Sequence, residues 1–365
     1  MNLEATAAKE LTRLQKARIM QMQRIMNQTA IDVARQIRLY KLKYTGDRVT
    51  RFWEFNKPLK QSVESIFGDL NKAAKNIVEA GINDGWDLAN VKNNMLADAY
   101  GKKVSIPGKM TALFRQPNLF ALDAFLTRTE QGMNLSRRIW QYSKVAQDQL
   151  ELYLASGITQ GKSAAKLAKD VKVLLNEPNR LFRRVRDAKG NLHLSKAAAQ
   201  YHPGTGVYRS SYKNAMRLTR TETNMAYHRS DFMRRQQLPF VIGIEVRLSA
   251  SHPAPDICDA MQGQYPKGFL FTGWHAQCIC NSISILADDR QFRNFLQTGH
   301  MDQRLGVRSI PPKAMRYVEA HKPQIDAMKN KPYWFMDNFT NDFKLRKVIN
   351  TKAPVYAQAA PGKAA

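Results

Sequence analysis

All three cysteines of the chain, Cys258, Cys278 and Cys280, fall inside the stretch "HPAPDICDAMQGQYPKGFLFTGWHAQCIC" that opens at His252. Thiols gathered this closely in a chain of 365 residues point to one shared task. A structural disulfide is a poor fit, because Cys278 and Cys280 are too close in sequence for unstrained geometry and an odd count leaves one thiol over. Two histidines complete the set: His252 stands six positions before Cys258, and His275 opens an H-x-x-C-x-C run with Cys278 and Cys280. Zinc takes four such donors in a tetrahedron, usually from two short clusters separated by a loop. Here Cys258 forms the first knuckle, a Pro/Gly loop of Tyr265, Pro266, Lys267 and Gly268 intervenes, and His275 to Cys280 form the second. Five donors for four positions leave one spare or holding the others from outside, so the choice between His252 and His275 stays open. The expected zinc is structural. The H-x-E with P-C-x-x-C pattern of zinc deaminases and the H-E-x-x-H helix of metalloproteases are both missing from the sequence.

The charge balance points to a partner. Lys and Arg number 57 against 30 Asp and Glu, a formal charge of +27, while hydrophobic residues make up an ordinary 44%. A chain this long buries a core and divides into more than one unit. So large a positive excess repels itself until a polyanion neutralises it, which makes nucleic acid or an anionic surface the first partner to expect, and double-stranded DNA, held without sequence preference, the specific expectation. No membrane is expected. The first residues, "MNLEATAAKELTRLQKARIMQMQR", scatter charge through the region where a secretory leader needs an apolar run, and the longest apolar stretches, such as "FVIGIEV" at 240–246, are strand-sized. A reducing, cytosol-like compartment would keep the thiols free for metal.

The elements that must position these residues are mostly helical. In 10–43, Ile19, Met22, Met26, Ala30, Val33 and Ile37 recur at helical spacing, with Arg18, Arg24, Arg35, Arg38 and Lys41 on the other faces. Such a helix is a packing element or a surface for self-association. Helical pattern continues to about Leu96 and is punctuated by "GKKVSIPGK" at 101–109, giving a helical N-terminal region over 1–115. A second helical region, 116–178, holds the spacing Ile139, Tyr142, Ala146, Leu150 and Tyr153, then a helix capped by Ser163 with Leu167, Val171 and Leu174 on one side. Residues 179–212 read as an insert, a basic hairpin around Lys189 and Gly190 followed by a loop. Its Arg180, Arg183, Arg184, Arg186 and Lys189 beside Phe182 form the densest basic patch of the chain and the candidate DNA contact. A helix over 213–238 leads through Pro239 into the strand "FVIGIEVRL", the cysteine stretch and a closing strand "SISIL", so that 213–288 forms one unit. After Asp288 the chain reads as a basic tail over 289–365 with one helix from Pro312 to about Met328 and a disordered end.

In the helix over 213–238, Ala215, Thr219, Glu222 and Ala226 share a stripe. If that stripe faces the core, Glu222 is a buried carboxylate with a structural role rather than a general base, since no nucleophile or second acid is placed beside it. Arg220 lies on another face of the same helix. The triplet Arg220-Thr221-Glu222, the following strand, the cysteine knuckle, the H-x-x-C-x-C run and the final strand together resemble the phage head morphogenesis domain of the Mu F-like minor head proteins. The preceding "ASGITQGKSAAKLAKDV" is similar to that family's helix, G-x-S, helix segment, so the likeness spans roughly 135–286. One departure stands out: many members carry C-x-x-C in the first knuckle, whereas here Pro255 occupies the first of those positions and His252 is the donor at hand.

The resemblance implies an α+β, mostly helical chain: long N-terminal helices, a small zinc-stabilised α+β head-morphogenesis unit and a basic tail. It also implies a non-enzymatic minor virion protein, made in the bacterial host cytoplasm and resident at the portal vertex or capsid interior. Such a protein meets portal and capsid proteins and acts in head assembly and in DNA packaging or delivery. Two rivals remain: a zinc-stabilised nuclease or toxin effector on the same scaffold, and a basic host-side DNA-binding protein. The nuclease needs a catalytic cluster, and the remaining histidines, His193, His202, His228, His300 and His321, are scattered without a paired acid motif.

Overall fold

Strong helix formers with apolar residues every three or four positions commit most of this chain to helix. A computed structural model describes residues 3–43, 52–178, 184–186, 190, 192–194, 210–252 and 255–346. In chain order its helices are α1 (Leu3–Leu39), α2 (Phe52–Phe55), α3 (Lys57–Val104), α4 (Gly108–Phe114), α5 (Leu119–Thr127), α6 (Leu135–Thr159), α7 (Ala164–Asn176) and α8 (Ser211–Gln237). They are followed by α9 (Ile257–Met261), α10 (Asp289–Thr298), α11 (Pro312–Ala320), α12 (Lys322–Ala327) and α13 (Tyr333–Asn338). The chain divides into two units: a helical one from Lys16–Ala80 and Thr127–Arg220, and a cysteine-bearing one from Met1–Gln15, Gly81–Leu126 and Thr221–Ala365. Among the described residues, no helix is long and apolar enough to cross a membrane.

In the helical unit the expected stripe of α1 is buried at Met22, Met26, Ala30, Val33 and Ile37, and Ile19 is half-buried. Met22 and Met26 line a narrow apolar cavity with Phe67, Ile139, Ala215 and Leu218. The stripe is thus consumed inside the chain, and self-association through α1 would have to use its outer faces. Ser163 caps α7 by accepting from the Lys166 N–H at 3.3 Å, and Leu167, Val171 and Leu174 are buried beneath it. The insert contributes a two-stranded antiparallel hairpin, β1 (Arg184–Arg186) with β2 (Leu192–Leu194), in which Arg184 pairs with Leu194. Gly190 between them has φ +80°, a conformation that costs glycine little.

The cysteine unit is built on a three-stranded antiparallel sheet in the order β4 (Gly263–Pro266), β3 (Val241–Arg247), β5 (Asn281–Leu286), with Glu245 opposite both Gln264 and Ile283. The sequence places β3 and β5 correctly but reads Tyr265 and Pro266 as loop. They belong to an edge strand, where a proline without an N–H is tolerated at the unpaired side.

What reads as a tail after Asp288 is, up to Arg346, four helices and their connections. The expected helix from Pro312 is broken at His321, because Pro323 begins a new helix and cannot continue the old one. Trp334, Phe335, Phe339 and Phe343 share one core with Tyr265, Phe269, Phe271, Trp274 and the three cysteines. Asn338 fastens this segment by accepting from the Leu270 N–H at 2.7 Å and donating to the Leu270 carbonyl at 2.8 Å, the exchange that two paired strands make.

Candidate metal centre

Three short segments converge on the thiols. Cys258 sits in the first turn of α9, whose N-cap is Asp256: its side chain accepts from the Cys258 N–H at 2.6 Å, and Asp259 Oδ2 returns the bond from the Asp256 N–H at 2.8 Å. Cys278 and Cys280 lie in the turn before β5. That turn needs two left-handed residues, Gly273 at φ +108° and Gln277 at φ +65°. At Gly273 a Cβ would stand 3.1 Å from the Cys278 Cβ, so glycine serves both the dihedral and the close approach. Gln277 is held from outside: its N–H donates to Thr221 Oγ1 at 3.1 Å, and the Cys278 N–H donates to the His275 carbonyl at 3.1 Å. Thr221 of α8 therefore fixes the turn that aims Cys278.

The three sulfurs lie within 4.8 Å of one another, and each cysteine is only 1% exposed. Cys258 Sγ and Cys278 Sγ are 3.8 Å apart. Thiolates bound at ~2.3 Å to one tetrahedral zinc stand about 3.8 Å from each other, whereas a disulfide needs about 2 Å. The buried cluster could hold a metal ion. Its electrostatics fit that use: the other two thiols hydrogen-bond to Cys278 and drive it well below the usual thiol range, while sharing with the same neighbours pushes Cys258 far above it. Three clustered thiols thus resist full ionisation until a cation replaces their protons.

Both histidines approach Cys258, one of the three thiols. His275 Nε2 stands 3.2 Å from Cys258 Sγ, and its Nδ1 is 2.8 Å from the Ala276 carbonyl, a contact that leaves Nε2 as the ligand nitrogen. Asp256 Oδ2 lies 3.2 Å from the same Nε2. His252 Nε2 instead meets Asp259 Oδ2 at 3.1 Å and Asp256 Oδ1 at 3.5 Å. A ring nitrogen of His252, an Asp256 oxygen and Cys258 Sγ form a second group within 4.8 Å. Comparisons of the chain with protein-family models, curated proteins and solved structures gave no match.

The other singled-out residues fall in different places. Glu222 is buried, as is the rest of its stripe, Ala215, Thr219 and Ala226, while Arg220 is half-buried and burial lowers its pKa. Of the basic patch, Arg184 and Arg186 are in β1, and Arg180, Arg183 and Lys189 lie outside the described residues.

Sequence reading missed a second buried polar system in the same unit. Asp231 of α8 pairs with Lys92 Nζ at 2.5 Å and with the Arg235 guanidinium, and accepts from Asn93 Nδ2 at 2.7 Å. Arg235 goes on to Ser282 and Ser284 of β5, and Lys92 reaches Glu4 of α1 at 3.3 Å. Burial alone would raise the Asp231 pKa, but Arg235 and Lys92 together bring it below its ordinary value. Close by, burial pulls His228 down to about 4 and keeps it neutral, with Nδ1 3.4 Å from Ser282 Oγ. The available signal was the density of polar residues in "TETNMAYHRSDFMRRQQ" without a solvent-facing stripe. A helix so polar and yet buried on nearly every side must satisfy its groups internally.

Because Thr221 holds the turn of Cys278 without itself offering a donor to metal, Thr221→Val is expected to weaken metal binding by the cysteine cluster about tenfold. Competition with a chromophoric chelator measures this. Unchanged affinity would mean the turn holds its shape without α8.

Proposed function

We propose that the chain is a minor head protein of a phage virion, resident at the portal vertex or capsid interior, that aids head assembly and DNA packaging or delivery. In this reading Cys258, Cys278 and Cys280 hold a structural zinc with His275 as the fourth ligand. The observation that carries the reading is the hydrogen bond from Gln277 to Thr221, which ties the Arg220-Thr221-Glu222 helix to the H-x-x-C-x-C turn. Elements that resemble the head morphogenesis domain in sequence order are thereby linked physically, beside a sheet made of the two expected strands and one more. The net charge of +27 suits a life next to packaged DNA. The deciding experiment is co-expression with the portal and major capsid proteins of the same genome. Co-purification of the chain with assembled heads is the expected result, and its exclusion from heads and portal rings alike would end this reading.

The DNA surface is separately testable. Changing Arg183, Arg184 and Arg186 together to glutamine is expected to weaken binding equally for unrelated duplexes. The dependence of log K on log salt becomes shallower by about one unit for each phosphate that is no longer neutralised. An unchanged slope would move the DNA surface to the outer face of α1 or to the basic segment after Asp288.

A further inference from the structure

The loops that bring the three thiols together also gather donors that one structural zinc does not use. His252, Asp256 and Cys258 each offer a ligand atom within 4.8 Å of the other two. Their placement is built rather than incidental. Asp259 Oδ2 accepts from the Asp256 backbone at 2.8 Å and meets His252 Nε2 at 3.1 Å, so the α9 capping box fixes the carboxylate that in turn orients the imidazole. Carboxylates that take one ring nitrogen of a histidine and leave the other to an ion are a recurrent support of metal sites, which makes Nδ1 of His252 the nitrogen left for a metal. Solvent access is graded: the His252 side chain is 11% exposed and that of Asp256 39%.

We propose that His252, Asp256 and Cys258 form a second metal site that shares the Cys258 thiolate with the structural zinc and opens to solvent on its Asp256 side. The proposal rests on the reading of the three cysteines as a zinc site. Electrostatics favours it, since three thiolates outweigh the charge of one zinc ion and Asp256 and Asp259 add more negative charge beside them. Imidazole, carboxylate and a bridging thiolate together suit zinc or a neighbouring first-row divalent ion. Three protein donors leave a coordination position for water, unlike a closed structural site. Fewer donors and greater exposure make this ion the weaker and more exchangeable of the two.

The test uses the full chain, purified reduced, loaded with zinc or cobalt and freed of excess by gel filtration. About two equivalents of zinc per chain are expected, of which one is lost to a mild chelator, while the cobalt form keeps its thiolate-to-metal charge-transfer band. The double variant His252→Ala, Asp256→Ser should bind about one equivalent with that band intact; serine is chosen because it preserves the N-cap of α9. Two outcomes overturn the second site while leaving the structural zinc in place: about one equivalent in the wild type with a full band, or about two equivalents retained by the double variant. Absence of both bound metal and band in the wild type would remove the structural zinc and the second site together.

Discussion

Cys278→Ser is expected to abolish tight metal binding by the three-cysteine cluster, zinc in the proposed reading, and to lower the thermal stability of the cysteine unit by several degrees. The sulfur at 278 belongs to the buried group of three, 3.8 Å from Cys258 Sγ, and the Gln277–Thr221 hydrogen bond fixes the turn that carries it, so losing it breaks the group. Zinc bound only by the folded state stabilises it in proportion to the logarithm of its affinity. A thousandfold loss of affinity therefore forfeits about 4 kcal/mol when the ion is in excess. Packing would also suffer, since Cys278 lies in the apolar cluster with Phe271, Trp274 and Trp334, and the two effects need separating. Chelation separates them: a strong chelator should lower the melting temperature of the wild type and leave that of Cys278→Ser unchanged. A variant that keeps a full equivalent of tightly bound zinc by elemental analysis would show that Cys278 is not a ligand.

Much of this centre was legible because its chemistry depends on residue types that are rare in the chain. Three cysteines and two histidines at knuckle spacing announce themselves, and β3 and β5 follow from short apolar runs bounded by turns. The long helices α1, α3, α6 and α8 and the capped α7 were legible from periodicity, whereas the short α4, α5, α10 and α13 were not. What escaped is what depends on tertiary partners. Tyr265 and Pro266 form an edge strand because β3 offers them a pairing face, not because their own propensities demand it. The segment from Tyr333 to Phe343 has no lysine of its own but sits between Lys331 and Lys344, and it passes for part of a basic tail when the charge after Asp288 is counted. Its aromatic residues matter only once Asn338 and the cysteine core are seen to receive them. Asp256, the N-cap of α9, and Asp259, inside it, carry no signal in the sequence, and only the fold turns them toward His252 and His275. The same holds for α8, whose polarity suggests solvent until Glu4, Lys92 and β5 are placed around it.

That buried network sets the second large expectation, an Asp231→Asn variant destabilised by roughly 3 to 5 kcal/mol. Asparagine keeps the shape of the side chain and can still meet Asn93, so the change removes charge and little else. It leaves Arg235, 3% exposed at its side chain, with the neutral partners Ser282 and Ser284, and Lys92, 2% exposed, with Glu4 at 3.3 Å in place of two acids. Neither can turn to water without disrupting α3 or α8, and desolvated charge without a counter-ion is among the few single changes of this size. Asp98→Asn is the control, since its pair with Arg115 is 2.5 Å long but exposed on both sides and should be worth no more than about 1 kcal/mol. The pH dependence has a definite sign. The folded Asp231 carboxyl lies below its ordinary value, so its contribution is fully present above the ordinary carboxylate range and disappears only as pH falls through the lowered folded value. The wild-type advantage over Asp231→Asn should therefore stay constant from neutrality down to about pH 5 and shrink only in stronger acid. Urea midpoints followed by tryptophan fluorescence at several pH values measure both quantities. Equal midpoints for the two proteins at neutral pH would mean that Lys92 and Arg235 find other partners and that the network does not hold α1, α3, α8 and β5 together.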